Sequence, residues 1–127
     1  MESENNMNLT VTARKATSPG GKPVTILDLE GEVDVYTSPV LRQEIMDQVD
    51  AGTTFLVADL AHVPFMDSTG LGILIGGVKR MKEMNGKLIL TRPTARITRV
   101  LDITGLATVF TVAASEADAL ALADQEA

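Results

Sequence analysis

Asp59-Leu-Ala-His-Val-Pro-Phe-Met-Asp-Ser-Thr-Gly-Leu-Gly72 is the stretch from which the fold can be read. Just before it, Phe55-Leu-Val-Ala58 is continuously apolar, the pattern of a strand covered on both faces. At its end and beyond, Leu71, Leu74, Ile75, Val78 and Met81 recur at helical spacing, and Asn85-Gly86 is a stop. A buried strand therefore ends, the chain turns sharply through Pro64 and Asp67-Ser-Thr-Gly70, and a helix runs from about Ser68 to Asn85. The turn sets two hydroxyls, Ser68 and Thr69, at a helix N-terminus. Backbone N–H groups there lack partners and the helix dipole is positive, so the place suits an anion. Gly72, Gly76 and Gly77 weaken the helix by roughly 1 kcal/mol each against Ala, which points to close packing against a neighbour or a partner.

Working outward, Leu9, Val11 and Ala13 alternate with polar residues, as in a half-buried strand. Ser18-Pro-Gly-Gly-Lys-Pro23 is a turn, and Val24–Glu30 is a second strand, so the pair forms an antiparallel hairpin. Thr37-Ser-Pro39 starts a helix: a hydroxyl caps it and Pro fits its first turn. Val40, Leu41, Ile45 and Val49 form the inner stripe of that helix, and Gly52 lies just past its end. Downstream, Leu88-Ile-Leu90 is a short buried strand. Thr94–Thr104 is a helix with Ile97, Val100 and Leu101 inward and Arg96 and Arg99 outward, stopped at Gly105. Thr108–Val112 reads as an edge strand, and Ser115-Glu-Ala-Asp118 has the spacing of a capping box opening a terminal helix to about Ala123.

The order β-β-α-β-α-β-α-β-α implies an α/β fold: one domain with a mixed, mostly parallel sheet and about four helices packed on it. Its expected bounds are residues 8–123, between a disordered N-terminal tail at 1–7 and a C-terminal tail at 124–127.

The totals narrow the function. The 127 residues suit one domain with a real core, without staples. There is no cysteine and one histidine, His62, so disulfides, thiol chemistry and a histidine-rich metal site are excluded within the chain. No apolar run approaches the roughly 20 residues of a membrane span. The acidic, polar first residues do not read as a secretory signal, so the cytoplasm is the expected compartment. A net charge of −6 and few aromatics argue against a nucleic-acid binder. Charge is also segregated: Asp28–Asp67 holds nine acids and one base, Arg42, whereas Lys79–Arg99 holds seven bases and one acid, Glu83. Two readings of this stay open, an acidic face for a basic protein partner and the solvated faces of successive elements.

Three enzymatic or cofactor readings of the Asp67-Ser-Thr-Gly70 corner fail. A hydrolase elbow needs Gly-x-Ser-x-Gly, which Ser68 lacks, and the only imidazole lies six residues upstream. The Asp-Thr/Ser-Gly signature of acid proteases is off by one residue. A Gly-x-Gly-x-x-Gly dinucleotide motif would need Gly where Ile75 stands. What remains is a regulated hydroxyl or a plain helix cap. A phosphate on Ser68 would add roughly 1.5 to 2 negative charges beside Asp67, tolerable at a helix start but repulsive to a docked partner. No catalytic group and no cofactor is expected.

Met66-Asp-Ser-Thr-Gly-Leu-Gly72 resembles the signature of the anti-sigma factor antagonists of the STAS domain family. Leu29-Glu-Gly-Glu-Val-Asp34, followed by Thr37-Ser38, is similar to the family's other recurring motif at the expected distance upstream. The resemblance covers about residues 8–123. It implies a bacterial regulator that, unphosphorylated, binds an anti-sigma factor which is also a GHKL-type serine/threonine kinase, and so frees a sigma factor. The kinase phosphorylates the serine matching Ser68, and a PP2C-type phosphatase reverses it. Asp34, Thr37, Ser38, Met66, Asp67, Thr69, Gly70, Leu71 and Gly72 match the contact surface around the acceptor. Thr69 stands where many relatives have a second Ser. The alternative is a structural STAS subunit of a membrane lipid-transport or stress-signalling complex in which Ser68 is never modified.

Overall fold

The computed structural model describes residues 8–125. The expected tail at 1–7 lies outside them, as do residues 126–127. Five strands and four α-helices occur among the described residues: β1 (Thr10–Thr17), β2 (Pro23–Glu30), α1 (Ser38–Asp50), β3 (Phe55–His62), α2 (Ser68–Glu83), β4 (Lys87–Thr91), α3 (Ala95–Thr104), β5 (Thr111–Ala113) and α4 (Glu116–Ala123). They form one sheet in the order β1-β2-β3-β4-β5. β1 runs antiparallel to β2, and every other pairing is parallel. The mixed, mostly parallel α/β fold of the sequence reading is what the chain adopts.

The strand sequences explain the layering. Leu27, Leu29, Leu56, Ala58, Leu60, Leu88 and Leu90 face a core shared with Leu41, Leu74, Met81 and Ile97 of α1, α2 and α3. Their alternating neighbours Val24, Ile26, Phe55, Val57 and Ile89 face Ala119 and Ala123 of α4. Central strands are thus apolar on both sides because both sides are covered. Of the three glycines flagged in α2, Gly77 has the close contact expected: a Cβ there would lie 3.0 Å from the Leu88 side chain and 3.4 Å from Ile45. Gly72 and Gly76 meet nothing within 4 Å.

Three sequence expectations need correction. Residues 108–112 are not one strand. Leu106–Thr108 is a single 3-10 turn after Gly105, whose φ is 76°, and only Thr111–Ala113 joins β4. Phe110 is buried in the core and the chain swings to seat it, which overrides the β-propensity of Thr108 and Val109. In α1, Val40 is 45% exposed, and the inner stripe is Ser38, Leu41, Ile45 and Gln48. β3 also runs past Ala58 to His62.

That extension carries Asp59 into the sheet, where it is 4% exposed. Arg92 meets it with Nη2 at 2.7 Å and Nε at 3.3 Å, and the N–H of Ala61 donates to Oδ1 at 3.0 Å. Burial pulls the Asp59 carboxyl upward, but Arg92 and the Ala61 N–H together outweigh burial and hold it below its ordinary 3.8. A carboxyl depressed in the fold stabilises above its unfolded pKa and stops doing so as pH falls through the folded value. Asp59→Asn should therefore be less stable than the native chain at about pH 7, with the gap narrowing toward about pH 2.5. Urea unfolding midpoints at the two pH values check this.

Candidate functional site

Two loops far apart in sequence meet through the backbone. Val33 and Met66 form an isolated parallel bridge. The N–H of Val33 donates to the Phe65 carbonyl at 3.0 Å, and the N–H of Asp67 donates to the Val33 carbonyl at 3.0 Å. Val33 and Met66 are both buried. Gly70 permits this closeness, since a Cβ there would lie 2.6 Å from Val33 Cγ1 and 2.7 Å from Met66 Cγ. The loop of Asp34 and the start of α2 are thereby one corner.

At that corner, carboxylates do the capping. Asp67 is the N-cap of α2, its Oδ1 accepting from the N–H of Thr69 at 2.9 Å and of Gly70 at 3.2 Å. A carboxylate also meets the helix dipole favourably. The plain-cap reading of Ser68 and Thr69 is therefore corrected: neither hydroxyl caps α2. Ser68 is the first helical residue, is exposed, and its hydroxyl makes no hydrogen bond among the described residues.

Asp34 plays the matching part before α1. Its Oδ1 accepts from the N–H of Tyr36 at 2.9 Å and of Thr37 at 3.0 Å, while Thr37 Oγ1 accepts from the Asp34 N–H at 3.0 Å. This is the reciprocal logic of a capping box, with Asp34 as the cap. The Thr37 hydroxyl, expected as a cap, instead donates back to the Glu32 carbonyl at 2.9 Å and makes no cap bond to α1. Thr37 does stand at the N-cap position with Pro39 in the first turn, as the sequence implies, but the side-chain bonds to backbone N–H groups come from Asp34, three residues earlier.

The structure sorts the nine residues expected around Ser68. Thr37, Ser38, Met66, Gly70 and Leu71 are buried, Asp34, Asp67 and Thr69 are half-buried, and Gly72 is exposed. Val35 and Tyr36, 58% and 78% exposed, stand in the same loop as Asp34, two large side chains within a polar turn. Ser38, Pro39 and Arg42 of α1 and Ser68, Thr69, Gly72 and Ile73 of α2 line an open depression of about 510 Å³. It adjoins a second of about 380 Å³, which shares Arg42 and Ile73 and extends to Gly76 and Arg80. His62 ends β3, and no hydrogen bond joins it to Ser68 among the described residues. Ser68 thus presents an exposed hydroxyl that lines the open depression, with no imidazole bonded to it among the described residues.

Asp67→Ala should cost about 1 kcal/mol of stability, the usual loss of an N-cap. Ser68→Ala should stay within about 0.5 kcal/mol of the native chain. Gly70→Ala should cost about 1–3 kcal/mol by overpacking against Val33 and Met66. Urea unfolding of the three variants side by side checks the order.

The STAS domain family model matches residues 15–119. An anti-sigma-B factor antagonist of Bacillus subtilis (strain 168) is 38% identical over 88 residues, which cover 69% of this chain and 80% of that protein. The crystal structure of an anti-sigma factor antagonist from Mycobacterium paratuberculosis superposes with a TM-score of 0.74 at 28% identity, over 89% of this chain and 93% of that one. The phosphorylated form of the Bacillus cell fate determinant SpoIIAA matches with a TM-score of 0.63 at 23% identity, over 84% of this chain and 94% of that one. At that identity the likeness speaks for the fold alone. No helix among the described residues is long and apolar enough to cross a membrane. The chain belongs to the STAS domain family, among its anti-sigma factor antagonists.

Proposed function

We propose that this chain is a phosphorylation-switched anti-sigma factor antagonist of the bacterial cytoplasm. Unphosphorylated, it binds an anti-sigma factor that is also a GHKL-type serine/threonine kinase, and so releases a sigma factor. Phosphorylation at Ser68 ends the binding, and a PP2C-type phosphatase restores it. The contact surface is the corner of Asp34, Thr37, Ser38, Met66, Asp67, Thr69, Gly70, Leu71 and Gly72, with the buried members shaping what the exposed ones present.

One observation carries the reading. Ser68 is exposed with an uncommitted hydroxyl, because Asp67 has taken over the capping of α2. In the transfer, Ser68 Oγ attacks the γ-phosphorus of ATP and the bond to the β-phosphate oxygen breaks. ADP leaves, and the hydroxyl proton passes to the kinase. The product gains roughly 1.5 to 2 negative charges beside Asp67. A partner docked over that charge loses contacts and meets repulsion at a desolvated interface. The curated relative's name, an anti-sigma-B factor antagonist, supports the identity of the partner class.

The test is capture from the native lysate with Ser68→Ala and Ser68→Asp proteins in parallel. Ser68→Ala should retain an ATP-binding kinase-like anti-sigma factor, and Ser68→Asp should retain about tenfold less or lower, equivalent to about 1.4 kcal/mol or more. Equal capture of the same multi-subunit assembly by both would instead support a structural subunit with an unmodified Ser68.

A further inference from the structure

Arg42 is the single base between Asp28 and Asp67, among nine acids. It lies on α1 and lines the same depression as Ser68 and Thr69 of α2. It is also the only charged side chain among the residues lining that depression. The basic side chains on the opposite face of the sheet are committed: Arg14 to Asp28 and Glu116, and Arg92 to Asp59. Arg42 has no carboxylate within ion-pair distance among the described residues. Other bases are also without an ion pair, but Arg42 is the one that lines the same depression as the uncommitted Ser68 hydroxyl.

We infer that Arg42 captures the phosphoryl group once Ser68 carries it, closing an intramolecular clamp between α1 and α2. This rests on the reading of Ser68 as a phosphorylation site. A guanidinium offers a planar fork of donors that matches two phosphate oxygens, and its long stem reaches across an open depression. The carboxylates flanking the site cap backbone N–H groups, and neither forms an ion pair with Arg42 among the described residues. Asp67 Oδ1 is held by the N–H groups of Thr69 and Gly70, and Asp34 Oδ1 by those of Tyr36 and Thr37. The clamp has a consequence for the switch. It withdraws the one cation of the acidic half from any partner carboxylate at the moment phosphate charge is added, so a single modification alters both signs of the local field.

The test uses the full chain with phosphoserine genetically encoded at position 68, which needs no kinase. The second ionisation of the phosphate, ordinarily near 6, is followed by phosphorus NMR against pH. In the native background it should lie about one pH unit below its value in Arg42→Gln, the scale of an opposite charge within a few ångströms. Arg42→Lys should fall between them. Arg80→Gln, which lines the adjoining depression but not this one, should leave the titration as in the native chain. Asp34 and Asp67 are unchanged in all four proteins, so their influence on the phosphate cancels in the comparison. Circular dichroism confirms that each protein is folded. If Arg42→Gln titrates as the native chain does, the clamp is wrong. That failure leaves the Ser68→Ala and Ser68→Asp capture result standing, and failure of the capture result leaves the titration unaltered, so the two readings are separable.

Discussion

The backbone pairing of Val33 with Met66 is the constraint on which the rest of the corner depends. It is a small interaction, two hydrogen bonds outside the main sheet, yet it joins the start of the crossover through α1 to the start of the crossover through α2. The pairing needs Gly70, because any side chain there would strike Val33 and Met66. It also fixes where α2 begins, since the Asp67 N–H is spent on the Val33 carbonyl and the Asp67 side chain then turns to cap the helix. Ser68 follows as the first helical residue, facing solvent.

Polar groups at this corner divide into those that hold the backbone and those left for chemistry. Asp34, Thr37 and Asp67 satisfy backbone groups that would otherwise be orphaned at two helix starts. A residue with such duties cannot change partner without loosening the loop. The side chains of Ser68 and Arg42 have none, and neither do the hydroxyls of Ser38, which is buried, and Thr69, which is half-buried; of these hydroxyls Ser68 is the exposed one. Under the proposed function, this division lets a covalent change at Ser68 act on binding while leaving the domain intact. The acids nearest Ser68 are engaged in holding the backbone around it.

Much of this was legible in sequence, and the failures are instructive. The buried strand before Asp59, the helix after Ser68 and the hairpin of β1 and β2 follow from hydrophobic period and turn residues alone. The Asp67-Ser-Thr-Gly70 corner was legible as a helix start, with a regulated hydroxyl and a plain hydroxyl cap as alternatives, whereas the cap is Asp67. Ser, Thr and Asp are all good caps, and only the direction of the incoming chain, set by the Val33 pairing, decides among them. At Thr37 the position was legible from Pro39 but the hydroxyl's partner was not, since it donates to the Glu32 carbonyl and Asp34 bonds the nearby N–H groups. Phe110 overrode the β-propensity around it through a long-range contact that no local pattern carries. Arg42 was visible as a lone base in an acidic segment, but its place opposite Ser68 requires the packing of α1 on α2.

The central claim is that Ser68, the exposed one among the uncommitted hydroxyls of this corner, is the site of modification. The most direct measurement is phosphosite mapping by mass spectrometry of the chain isolated from its own cells, and of the purified chain after incubation with its captured anti-sigma factor and ATP. The expected result is a phosphate confined to Ser68 and absent from Ser68→Ala. Phosphate on Thr69, Thr37 or Ser38 with Ser68 unmodified, or no phosphate under either condition, would contradict the account.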